Sequence, residues 1–116
     1  MNMTHPIHKE LIASKRWFTL SLPEQFANIG SDVGRAISWK TKGDSLASQQ
    51  ALDRALELID LTLADPKNKK RLREVLRMRE CLADYFLGEN QYKFTDQAWQ
   101  DYFYYFSFIA AHNRGK

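Results

Sequence analysis

The chain has 116 residues, 44% of them apolar and 27% charged, an ordinary globular composition that supports one domain with one core. No apolar run has the length of a membrane span, and the net charge of +3 permits an anionic partner without demanding one. The one cysteine, Cys81, closes no internal disulfide, and the opening MNMTHPIHKE lacks the apolar stretch of a secretory signal, so a reducing cytoplasm is the expected compartment.

Residues 1–20 read as an N-terminal arm or a short extra helix over 6–14, with Trp17, Phe18, Leu20 and Leu22 available to pack on the helical bundle. Ser21 and Glu24 have the spacing of a capping box, and Pro23 suits a first helical turn. A helix is therefore predicted over 22–41. Leu22, Phe26, Ile29, Val33 and Ile37 form its apolar stripe, and Ala27, Gly30, Ser31, Gly34 and Ser38 form a flat strip beside it. Two interior glycines cost about 1 kcal/mol each against alanine, so close approach of another backbone is expected there. Asn28, Asp32, Arg35 and Trp39 recur on one polar edge. An Asp32–Arg35 pair is the expected use of that edge, with a small-molecule site as the other reading.

Gly43 ends this helix, and Asp44 or Ser45 caps the next, which runs to about Ala64. Its segment ALDRALELIDLTL, residues 51–63, is apolar on more than one face and reads as the central element of the domain. Asp65 and Pro66 then cap and open a helix over 66–87, with Leu72, Val75, Leu76, Leu82, Tyr85 and Phe86 inward. The tight turn makes these two helices antiparallel neighbours. After Gly88 and a loop, Thr95 or Asp96 caps a last helix reaching about His112, and residues 113–116 form a tail. The whole reads as an all-α protein: an antiparallel up-down four-helix bundle over 21–112 with an N-terminal arm.

Two surfaces suggest partners. Lys67, Lys69, Lys70, Arg71, Arg73, Arg77 and Arg79 crowd the front of the third helix, where cations oppose the helix dipole by a few tenths of a kcal/mol each. Lys69, Lys70, Arg73 and Arg77 are candidates for contacting phosphates of RNA or DNA. The competing reading pairs these cations with Asp53, Glu57 and Asp60 of the preceding helix and Asp65 at the turn, with Glu74 taking Lys70 and Glu80 taking Arg77 or a neighbour. In the last helix Trp99, Tyr102, Phe103 and Phe106 form an inward stripe flanked by Tyr105 and Ile109. Tyr104 and Phe108 project to the opposite side and are candidates for a homo-oligomeric or other protein interface, with cover by the N-terminal segment and a stacking platform for bases as the other readings.

No catalytic constellation, cofactor site or metal site emerges. His5 and His8 flank Pro6 near the terminus, and no arginine precedes His112 at the spacing used by helical ribonucleases. Glu57 with Asp60, and Glu80 with Asp84, provide only a sparse set for a metal-dependent all-α nucleotide hydrolase, kept as the minor alternative. Cys81 reads as packing.

The segments LSLPEQFANIGSDVGRAISWK, RALELIDLTLAD and ADYFLGENQY resemble an uncharacterised family of small bacterial helical proteins over roughly residues 17–108. More distantly, size, helix number and basic charge are similar to four-helix bundles encoded by ribosomal-RNA intervening sequences and to retroelement accessory proteins. The distant resemblance implies an up-down bundle, and some of those relatives form ring-like oligomers or carry basic surfaces for nucleic acid. It assigns no activity and no functional residue. The reading is thus a non-catalytic, self-associating interaction protein that binds nucleic acid, with a protein scaffold free of nucleic acid as the alternative.

Overall fold

The computed structural model describes residues 15–114, so the expectations for the first fourteen positions, His5 and His8 included, lie outside it. The described residues are all-helical. Helix α1 spans Leu22–Thr41, α2 Ser45–Ala64, α3 Leu72–Leu87 and α4 Asp96–Arg114, with a 3-10 helix at Pro66–Arg71 before α3. None of them is long and apolar enough to cross a membrane.

Local signals account for most boundaries. Ser21 Oγ accepts from the Glu24 amide at 3.3 Å, and Glu24 Oε1 accepts from the Ser21 amide at 2.9 Å, so the capping box starts α1 as predicted. Gly43 takes φ of 84°, which a side chain strongly disfavours, and the Asp44 carboxylate then accepts from the Ala47 amide at 2.9 Å to open α2. The hairpin is antiparallel: Ser48 reaches the Ala36 carbonyl, Arg54 meets Asp32, and Asp65 meets Gln25.

Helix α2, which holds the 51–63 segment, meets α1, the 3-10 helix and α3, as its broad apolar surface requires, but the most heavily packed helix is α1. It packs along both α2 and α4, and Phe26, Ile29, Val33, Ala36 and Ile37 are all buried. In α2 only Leu52, Ala55 and Ile59 are buried apolar residues, while Leu56, Leu58, Leu61 and Leu63 pack at the core's edge. Small residues explain the close packing of α1. A methyl group at Gly30 would lie 2.5 Å from Phe103 Cβ, so this glycine lets α4 settle on the α1 backbone. Phe26 meets Phe106 edge-on at 4.6 Å on the same seam. Gly34 faces open space. The flat strip therefore serves close packing at one of its two glycines.

The third helix differs from expectation at its start. Asp65 and Pro66 do begin a helical segment, but it is 3-10 for Pro66–Arg71 and becomes α only at Leu72. The cause is inward anchoring. Asn68 is buried, donating at 2.8 Å to Gln25 Oε1 and at 3.0 Å to the Thr62 carbonyl. Gln25 donates to Asp65 Oδ2 and to the Trp17 carbonyl, and the Trp17 indole donates at 2.9 Å to Thr62 Oγ1. This polar corner holds residues 16–20 against α1 and α2, and Trp17 is buried there as expected. Burial alone would raise the Asp65 carboxyl, but hydrogen bonds from Lys67 and Gln25 outweigh it and hold the group below its usual range.

Between α3 and α4 the loop is built on two acceptors. Asp84 takes the amides of Gln91 and Tyr92, and Asn90 exchanges hydrogen bonds with Phe94 through its side chain. The Tyr85 hydroxyl donates to Asp96, joining the two helices. Its pKa is pushed up to about 12, chiefly by burial and then by that carboxylate.

Candidate anion-binding face

The seven cations at the front of the third helix separate into two groups. Lys67 pairs with Asp65, Arg71 with Glu74, and Arg79 with Asp60 at 2.9 Å. Lys69, Lys70, Arg73 and Arg77 make no ion pair among the described residues, and all four are exposed. The pairing expected from α2 is therefore realised only at its end, by Asp60 and Asp65. Asp53 instead accepts from Gln49. Glu74 takes Arg71 rather than Lys70, and Glu80 accepts from the Tyr92 hydroxyl rather than meeting Arg77.

Geometry brings three of the four together. Lys70, Arg73 and Arg77 border one open groove of about 740 Å³ along α3, and Lys69 stands beside it on the 3-10 helix. Arg73 and Arg77 are one helical turn apart. Leu76 also lines the groove and is 53% exposed, a correction to the inward position read from periodicity. The stripe of α3 turns instead through Val75, Met78, Cys81 and Leu82, which are buried. Cys81 is packing, as expected, and burial pushes its thiol pKa up.

The second predicted surface is open as well. Tyr104 and Phe108 on α4 are 71% and 62% exposed, and Tyr105, expected only to flank the inward stripe, is exposed beside them. Phe108 stacks on His112 with ring centroids 6.4 Å apart. On the inner side of α4, Trp99, Phe103 and Phe106 are buried and Tyr102 is half-buried, as the periodicity requires.

Chemically, the groove is lined by four cations and by the carboxylates of Glu74 and Glu80, and its net positive charge and hydrogen-bond donors suit phosphate oxygens. Among the described residues, no three His, Cys, Asp or Glu side chains gather as metal ligands. Three of the four carboxylates considered for magnesium are engaged elsewhere: Asp60 with Arg79, Asp84 with loop amides, Glu80 with Tyr92. Sequence reading anticipated the Asp32–Arg35 pair but missed Arg54, which reaches the same carboxylate from α2 at 3.3 Å. No local spacing signals that contact, because Arg54 lies on a different helix. Comparison with protein-family models, curated proteins and solved structures finds no match.

Proposed function

We propose that this chain is a non-catalytic binding protein that engages the phosphates of RNA or DNA through Lys70, Arg73 and Arg77, with Lys69 adding charge beside them. One observation carries the reading: three of the seven neighbouring cations are neutralised within the fold, and these four have no ion pair among the described residues. Lys69, Lys70 and Arg73 also stand at or just before the first turn of α3, where positive charge is unfavourable, so partner binding gives a reason for their position. The four helices form an up-down bundle in this reading, and copies associate through the exposed Tyr104 and Phe108. A cytoplasmic setting suits such a partner.

The test is binding of a mixed RNA and DNA pool across a salt series. Four phosphate contacts give a slope of log affinity against log salt of roughly −3 to −4, and each Glu substitution at these positions flattens it by about one or more. Absence of binding at low salt, or a slope unmoved in the quadruple Glu variant, rejects the reading. A protein scaffold without nucleic acid is the second reading, favoured by the exposed Tyr104 and Phe108. Light scattering examines its homomeric form, for which a monomer at high concentration is the contrary result.

A further inference from the structure

A second cationic cleft, sharing no residue with the α3 groove, is organised around a buried carboxylate. A cleft of about 670 Å³ opens between residues 16–20, α1 and α2. That volume falls within the range of small-molecule sites. At its base is Asp32, whose side chain is 2% exposed and which holds both Arg35 and Arg54. The two arginine side chains are 59% and 69% exposed. The carboxylate is thus a buried anchor, and the guanidinium groups open toward solvent.

Charge counting separates this cluster from the ion pairs elsewhere. Lys67 with Asp65, Arg71 with Glu74 and Arg79 with Asp60 each match one cation to one anion. Asp32 is shared by two cations, and Arg16 lines the same cleft, so the cleft carries an excess of two positive charges. Each guanidinium has five N–H donors in a fixed fork, and the bonds to Asp32 occupy only some of them. Burying Asp32 costs several kcal/mol before pairing is counted. The return is a fixed position for two forks that share one anchor. The remaining wall is mixed, with Trp17, Leu20, Leu58 and Leu61 as its apolar part and Thr19, Asn28 and Ser31 as its polar part.

We propose that this cleft binds a small phosphate monoester with an apolar or aromatic body. A monoester dianion balances the excess of two charges and accepts bidentate hydrogen bonds from Arg35 and Arg54. Its organic part lies against Trp17, Leu20 and Leu58. Asp32 is a positioning residue that orients the arginines and does not touch the ligand. The site is independent of the cationic groove on α3 and does not rest on nucleic-acid binding.

Calorimetric titration with phenyl phosphate, inorganic phosphate and benzyl alcohol tests the proposal on the intact chain. Phenyl phosphate is expected to bind saturably, inorganic phosphate at least tenfold more weakly, and benzyl alcohol not at all. Arg54→Gln leaves Arg35 on Asp32 and is expected to weaken phenyl phosphate at least tenfold, whereas Arg73→Gln leaves it unchanged. Amide shifts in the unaltered protein should concentrate at Ser31 and Leu58 and spare Arg73, a readout that needs no variant to fold. Failure of phenyl phosphate to bind overturns the proposal. So does equal binding of inorganic phosphate or benzyl alcohol, indifference to Arg54→Gln, loss in Arg73→Gln, or shifts centred on α3.

Discussion

The 3-10 helix at Pro66–Arg71 carries two opposite treatments of polar side chains within a few residues. Asn68 points into the protein and has every near neighbour answered: Gln25, Thr62 and, through Gln25, Asp65 and the Trp17 carbonyl. Lys69 and Lys70 point out and meet no carboxylate among the described residues. The inner set is satisfied because an unpaired buried polar group costs about 1–3 kcal/mol. No such cost acts on the outer set, since water solvates it. Internal polar groups here define structure, and external ones remain available to a partner.

That contrast can be broken from the inside first. Gln25→Leu removes one of the two acceptors of the Asn68 amide, the donor to the Trp17 carbonyl and one of the two donors to Asp65 Oδ2, and is expected to cost about 3 kcal/mol in chemical denaturation. A loss below about 0.5 kcal/mol would mean that the corner is wet and does not hold the fold. Gly30→Ala comes next, at about 2 kcal/mol, because its methyl meets Phe103 on a packed seam. Gly34→Ala has no such obstacle and should stabilise by up to about 1 kcal/mol. Equal effects of the two alanines would remove the distinction between a packed and an open glycine.

A pH series sharpens the inner side further. Asp65 has a folded pKa below its ordinary value of 3.8, so its contribution is fully present above that value. It is lost as pH falls through the lowered folded value. Asp65→Asn should flatten the acid limb of the stability curve, and an unchanged limb would contradict the assignment. The smallest effect belongs to the outer side. Lys69→Glu and Lys70→Glu should raise stability by a few tenths of a kcal/mol each, by relieving charge near a helix start, while weakening nucleic-acid binding. Parallel loss of both properties would show that these lysines serve the fold.

Much of this was legible in the chain because local chemistry determines it. Ser21, Glu24 and Gly43 bound α1, and the aromatic spacing of α4 divides buried from exposed rings. What escaped depends on distant partners. Asp65 and Pro66 look the same before a 3-10 turn and an α-helix, and only the burial of Asn68 decides between them. Gln25 and Asn68 resemble surface residues until each supplies the other's environment. Leu76 fits a helical stripe, yet the neighbouring helices meet α3 along Val75, Met78 and Leu82. The 51–63 segment does meet several neighbours, but the heaviest packing falls on α1, where Gly30 lets α4 seat against the backbone.

The buried thiol of Cys81 makes the molecule its own stopwatch. It is the chain's one sulfhydryl, sits 5% exposed, and ionises less readily than a free cysteine. A soluble disulfide reagent can therefore react only as often as α3 lifts from its neighbours. The labelling rate, followed with and without a nucleic acid or a phosphate ester, reports how firmly each ligand keeps that helix shut.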